Sequence, residues 1–224
     1  MEFENTRIYG FENALIGMRL PMCKDFSEAR EKCLFSGGEI IVNKDIDLMK
    51  RLIKADSNGD GQPNSKFLRM IHVQVAITAP MYWWNEADTY KVGTVSNSTS
   101  KMHKLASTPI TIDCFEMSDF DKSLKATNKE DGRFMSNEDF WAGFVDYLEL
   151  LRLKFNETKD MKYWKELIRL LPESWLQTRM FDCNYAILRN IYHWRKNHKL
   201  TEWHSFCDWI KTLPYAKELL TDGE

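Results

Sequence analysis

The clearest pattern along the chain is an alternation in which Ile71, Val73, Val75 and Ile77 interleave with His72, Gln74, Ala76 and Thr78. A period of two carried by β-branched residues predicts a strand over 68–79 with one buried face, ended by Pro80. A shorter alternation, Ile110, Ile112 and Cys114 after Pro109, predicts a second strand. Elsewhere the period becomes helical. Segments 25–34 and 44–55 read as helices, the latter with Ile46, Met49, Leu52 and Ile53 on one face. Ser136 is an N-cap ahead of Phe140, Phe144, Leu148, Leu151 and Phe155, spaced by three or four. Thr158 is placed to cap the next helix, which carries Trp164, Leu167, Ile168 and Leu171 as far as Pro172. A long helix is expected over 173–194, and Thr201 opens a last one with Phe206, Trp209, Ile210 and Leu213. Strands first and helices last predict an α+β fold, a mixed or antiparallel sheet with grouped helices. No linker is visible, so a single domain over 1–224 is expected.

Composition narrows the partners. The 224 residues carry 31 Lys and Arg against 33 Asp and Glu, a net charge of −2, so no global field draws in nucleic acid or an anionic membrane. No apolar run is long enough to span a bilayer. The first residues, MEFENTRIYGFEN, are polar and acidic where a secretory signal is basic and then apolar. Five scattered cysteines, an odd number, fit reduced thiols and a cytoplasmic location better than a disulfide framework.

Two metal-like patterns fail on spacing. Asp56-Ser-Asn58-Gly-Asp60-Gly61 opens like a calcium loop, but its twelfth position is Phe67 and Pro63 interrupts its backbone, so a tight turn is the simpler reading. His193, His198, His204 and Cys207 lie at intervals that match no closed zinc site. No metal is therefore expected. Walker, G-x-G-x-x-G, G-x-S-x-G and zinc-deaminase signatures are absent.

The chemically dense stretch is 79–105. Tyr82, Trp83 and Trp84 precede the carboxylates Glu86 and Asp88; then comes a run rich in hydroxyls and amides, Thr94 to Ser100, flanked by Lys91, Lys101, His103 and Lys104. Such donors can grip a phosphate, and the aromatics can stack on a base. The plain alternative is a polar helix start with solvated lysines. Either carboxylate could serve as a base if desolvated, or pair with Lys91 or Lys101.

This stretch resembles the signature R-H-R-x-x-S-x-N-x-x-S-x-R of the flavin-dependent thymidylate synthases. Thr89-Tyr90-Lys91 stands at the triplet, and Thr94, Ser96, Thr99 and Lys101 follow at the signature's spacing without insertion. Leu171-Pro172, Asn184, Asn190 and Arg195 resemble the family's L-P and N-x(5)-N-x(4)-R pattern, in which a Leu precedes the Arg and Trp194 stands in place of that Leu. The likeness covers roughly 67–209. It implies the family's α+β fold, a homotetramer, and a pyrimidine deoxynucleotide such as dUMP as ligand. It also implies FAD as cofactor, with folate and NADPH supplying carbon and electrons for transfer of a methyl or hydroxymethyl group to C5.

Carried over by position, Thr89, Tyr90, Lys91 and Thr94 stand for the flavin contacts. Thr99, Ser100, Lys101, Asn190 and Arg195 stand for the nucleotide contacts; Arg195 and Glu86 are the catalytic candidates, Glu86 as the candidate base at a position where the family usually has Gln. The triplet has lost two cationic positions, and a lysine copies a guanidinium fork only as a point charge. Such losses keep a second reading open, a catalytically inactive nucleotide-binding or sequestering protein of the same fold. The family uses no covalent cysteine, so Cys183 reads as packing.

Overall fold

The computed structural model describes residues 1–33, 35–36, 39–40, 43–57, 64–127, 132 and 134–223, with the backbone alone at 36, 39, 57 and 103. In chain order the elements are β1 (Glu2–Tyr9), α1 (Phe11–Arg19), α2 (Phe26–Lys32), β2 (Phe35–Ser36), β3 (Glu39–Ile40), α3 (Asn43–Ser57), β4 (His72–Pro80) and α4 (Met81–Ala87). There follow β5 (Val95–Ser98), α5 (Lys101–Lys104), β6 (Lys125–Thr127), β7 (Phe134–Ser136), α6 (Asn137–Thr158), α7 (Met161–Leu170), β8 (Leu176–Asn184), α8 (Tyr185–Arg195), α9 (Thr201–Lys211) and α10 (Ala216–Leu219). The described chain divides into two compact units. One comprises Met1–Ile77, Asp88–Asn97 and Arg179–Glu224; the other comprises Thr78–Ala87 and Ser98–Thr178.

The first unit carries most of a four-stranded sheet ordered β1-β4-β8-β5. Gln74 donates to the Asp182 carboxylate at 2.9 Å, and the Tyr185 N–H reaches the Ile71 carbonyl at 3.0 Å. One index rises as the other falls, so β4 and β8 run antiparallel. The period-two reading holds from His72 on, with Val73, Val75 and Ile77 buried and His72 and Gln74 exposed, while the expected start at 68 falls in a 3₁₀ turn over Lys66–Met70. Around the sheet, α8 and α9 bury Leu188, Tyr192, Trp203, Phe206 and Ile210. Phe3 of β1 stacks on Trp209 at 5.3 Å, and the Trp209 indole N–H reaches the Thr6 hydroxyl at 3.2 Å. Gly10 starts α1 at φ 92, where a Cβ would lie 2.1 Å from the Met70 carbonyl oxygen. Only glycine fits both constraints.

The single helix expected over 173–194 is instead strand β8 followed by helix α8. In β8 the buried positions are Gln177, Arg179, Phe181 and Cys183. Two of these four are polar, which hides the alternation from a hydrophobicity reading. The switch to helix comes at Asn184, whose side chain accepts the Ile187 N–H at 3.1 Å. A core strand therefore lies late in the chain, contrary to the expected order of strands first and helices last.

In the second unit, Ser136 caps α6 as expected and accepts the Asp139 N–H at 3.0 Å. Val145, Leu148 and Leu151 of α6 form one apolar cluster with Leu167 of α7, Leu105, Ile110 and Phe115. Thr158 does not cap α7; it donates to the Lys154 carbonyl at 2.7 Å, and Asp160 takes the cap by accepting the Lys162 N–H at 2.9 Å. The strand expected at 110–114 is not formed. The Ile110 N–H is taken by the Glu149 carboxylate at 2.8 Å, and Ile112–Cys114 make a 3₁₀ turn. Once a side chain captures the first donor, no ladder can start there.

Most of the calcium-like loop lies outside the described residues. At its flanks, the Asp56 carboxylate accepts from the backbone N–H groups of Asn64 and Ser65. Among the described residues, no helix is long and apolar enough to cross a membrane.

Candidate functional site

The segment 88–97 is held in the first unit by contacts at both ends. Arg179 of β8, only 9% exposed, donates through one terminal nitrogen to both oxygens of Asp88, at 2.9 and 3.1 Å. Asp88 therefore pairs with Arg179, where Lys91 or Lys101 had been the expected partners. Two residues on, the Tyr90 hydroxyl accepts from Arg195 Nε at 2.8 Å. The same guanidinium lies over the Trp203 ring at 4.6 Å and over the Tyr90 ring at 5.5 Å. Tyr90 and Trp203 meet edge-on at 6.0 Å. Arg195 is the last residue of α8 and Trp203 lies in the first turn of α9, so the short α8–α9 connection folds cation and indole together. Cation–π contacts of this kind contribute about 0.5–2 kcal/mol, more as water is excluded.

Between these anchors, Thr94 turns inward and donates its hydroxyl to the Tyr90 carbonyl. Gly93, just before it, stands at φ 77, where a Cβ would lie 2.8 Å from the Ile187 side chain. The loop therefore approaches the first turn of α8 closely; the Ile187 methyl can shift, so it is the positive φ that favours glycine here.

Of the sequence-derived residues, this unit holds Thr89, Tyr90, Lys91, Thr94, Asn190 and Arg195, and it brings Tyr90, Thr94 and Arg195 together. Thr89, Lys91 and Asn190 are exposed. The second unit holds Glu86, Thr99, Ser100 and Lys101. There Glu86 is half-buried on α4. Thr99 is fixed by its backbone: its N–H donates to the Thr178 carbonyl at 3.0 Å, and its carbonyl accepts from the Gln177 amide at 2.8 Å. The Ser100 carbonyl accepts from the Lys104 N–H at 3.1 Å, and half-buried Lys101 opens α5.

The paired tryptophans are not a stacking surface. Trp83 and Trp84 are 1% and 0% exposed, meet edge-on at 4.8 Å, and Trp84 donates to the Gln177 carbonyl at 2.9 Å. They belong to the core of their unit. Cys183 is fully buried and burial pushes its thiol far above the ordinary range, which removes it as a nucleophile. His204 binds the His198 carbonyl at 2.7 Å, while His193 faces Asp222 at 3.2 Å.

Sequence reasoning missed Arg179 and Trp203. Arg179 sat inside a segment read as helix. Trp203 lies eight positions beyond Arg195, and only the turn between the two helices brings them together.

The triplet does not fit the flavin contacts that the family resemblance assigns to it. Thr89 carries no charge, the Tyr90 hydroxyl is engaged by Arg195, and Lys91 is the one cation of the three. A diphosphate-bearing cofactor would find a point charge there in place of a guanidinium fork.

No protein-family model matches the chain, and no curated protein matches it by sequence. Solved structures do. The flavin-dependent thymidylate synthase ThyX of Helicobacter pylori, complexed with FAD and dUMP, aligns at a TM-score of 0.64 with 18% identity over 99% of each chain. A second structure of that enzyme with FAD and dUMP aligns at 0.67 with 17% identity, covering 100% of this chain and 99% of the other. The UMP/dUMP methylase PolB of Streptomyces cacaoi, bound with 5-Br dUMP, aligns at 0.59 with 14% identity, covering 99% and 95%. Likeness along the entire length gives the chain the fold of the flavin-dependent thymidylate synthases.

Proposed function

We propose that this chain binds a pyrimidine deoxynucleotide, dUMP or a close relative, and acts at C5 of the base by one-carbon transfer. The observation that carries the reading is the fixed orientation of Arg195, the signature cation assigned to the nucleotide, held through Nε and by two aromatic rings. A guanidinium ordered before the ligand arrives loses little entropy on gripping a phosphate or base carbonyl. The full-length likeness to one thymidylate synthase and one UMP/dUMP methylase supports the substrate class. Thr99, Ser100, Lys101 and Asn190 are the further nucleotide contacts in this reading, and Glu86 is the group beside the base.

The engaged Tyr90 hydroxyl favours a second reading, in which nucleotide binding persists without turnover. FAD, folate and NADPH enter only as reactants to be supplied, and no step is derived through them. An oligomer is part of the proposal: Phe134, Phe140, Tyr147, Leu150 and Leu153 are each about half exposed or more, an apolar face suited to another copy.

Thermal stabilisation should be measured with dUMP, dCMP, UMP and FAD in turn, followed by mass analysis of dUMP incubated with methylene-folate, FAD and NADPH. Stabilisation by dUMP with a C5-alkylated product supports the transferase. Stabilisation without product supports the sequestering protein. Stabilisation by none of the nucleotides defeats both readings.

A further inference from the structure

On another part of the first unit, Lys50 and Lys54 of α3, Arg189 of α8 and Lys217 of α10 converge on a cleft of about 380 Å³, with Ile53, Glu218, Asp222 and Gly223 completing its wall. Among the described residues of its lining, four cations face two carboxylates, on a chain whose net charge is −2. The carboxylates are unevenly used: Asp222 binds Arg189 at 2.6 Å and His193 at 3.2 Å. Among the described residues, Lys50, Lys54 and Lys217 have no carboxylate partner. Lys50 and Lys54 also lie one helical turn apart, a like-charge pairing that costs helix stability. Arg189 is the anchor, with a side chain 17% exposed that also reaches the Leu219 carbonyl at 3.4 Å.

A concave surface with excess positive charge, contributed by three helices and fixed by a largely buried arginine, is suited to a compact multivalent anion. Arg189 and Arg195 share α8 but project about 120° apart around its axis, so the cleft and the Tyr90–Arg195–Trp203 cluster occupy different sides of the helix. We propose that this cleft is a second ligand site, taking a small polyanion of the phosphate class, and that it is separate from the nucleotide contacts.

The test uses the full-length chain, titrated by calorimetry with inorganic phosphate and with inorganic pyrophosphate at constant, near-physiological ionic strength. Saturable one-to-one binding is expected, tighter for pyrophosphate because four cations can engage two phosphoryl groups. K50E combined with K217E should weaken binding at least tenfold while the circular-dichroism melt stays cooperative. K165E, a charge reversal on exposed Lys165 of α7, should leave it unchanged, and R195A should retain it. Three results would overturn the proposal: no saturable binding of either anion; equal weakening by K165E, which would mean general electrostatics; or loss of binding in R195A, which would mean a single shared site. The last two arms also separate failure of this site from failure of the nucleotide reading, since dUMP binding should survive K50E/K217E.

Discussion

The Tyr90 hydroxyl and Arg195 Nε, 105 positions apart in sequence, meet at 2.8 Å, and the bond fixes the direction in which the guanidinium points. Tyr90→Phe removes the acceptor but keeps the ring. A hydrogen bond of this kind contributes roughly 1 kcal/mol to the fold, so the melting temperature should fall by only a few degrees, while loss of the fixed orientation should weaken dUMP binding severalfold. Arg195→Ala should abolish dUMP binding. Calorimetric titration of both variants measures this; unchanged affinity in Tyr90→Phe would show that something else orients the guanidinium.

The Arg179–Asp88 pair is lopsided, with side-chain exposures of 10% and 52%. Removing the buried partner leaves a carboxylate that water can solvate, whereas removing the exposed one takes a counter-charge from a buried cation that water reaches poorly. Asp88→Ala should therefore destabilise more than Arg179→Met, by about 1–3 kcal/mol against about 1 kcal/mol. Urea midpoints of the two variants decide the order.

Trp84 is a core residue in this structure, so Trp84→Ala should cost about 3–5 kcal/mol whether or not nucleotide is present. Trp84→Phe should cost less, chiefly through the lost donor to the Gln177 carbonyl. If either variant folded normally and lost only nucleotide binding, the indole would be a stacking group after all.

Glu149 accepts two hydrogen bonds from Arg152 at 2.5 and 2.7 Å, and a third from the Ile110 backbone. The arginine holds its carboxyl below the usual glutamate range. With the folded value lowered, the stabilisation is present above the unfolded value near 4.3 and fades as pH falls through the folded one. Glu149→Gln should thus destabilise at pH 7 and much less at pH 3, which thermal melts across that window would show.

Legibility varied along the chain for identifiable reasons. β4 was readable because its buried face is Val73, Val75 and Ile77, and α6 because Ser136 announces it. β8 was not, since Gln177 and Arg179 occupy buried positions, and a hydrophobic pattern cannot register a polar residue whose burial depends on a distant partner. The strand expected at 110–114 failed for the converse reason: its apolar pattern was right, but Glu149 claims the Ile110 N–H. Of the residues that the motif spacing picked out for the site, Tyr90 and Arg195 are brought together by the fold. What Tyr90 and Asp88 do there depends on Arg195 and Arg179, about a hundred positions away.

The sequence by itself determined the local choices: where helices begin, which strand has an apolar face, and which segments carry the signature hydroxyls and cations. These are settled within a few residues by backbone sterics, capping and period. Only the tertiary structure decided which charges pair, which aromatics are buried and which cations share a cleft. Those outcomes rest on desolvation, which is fixed by neighbours that the fold supplies and the local sequence does not name.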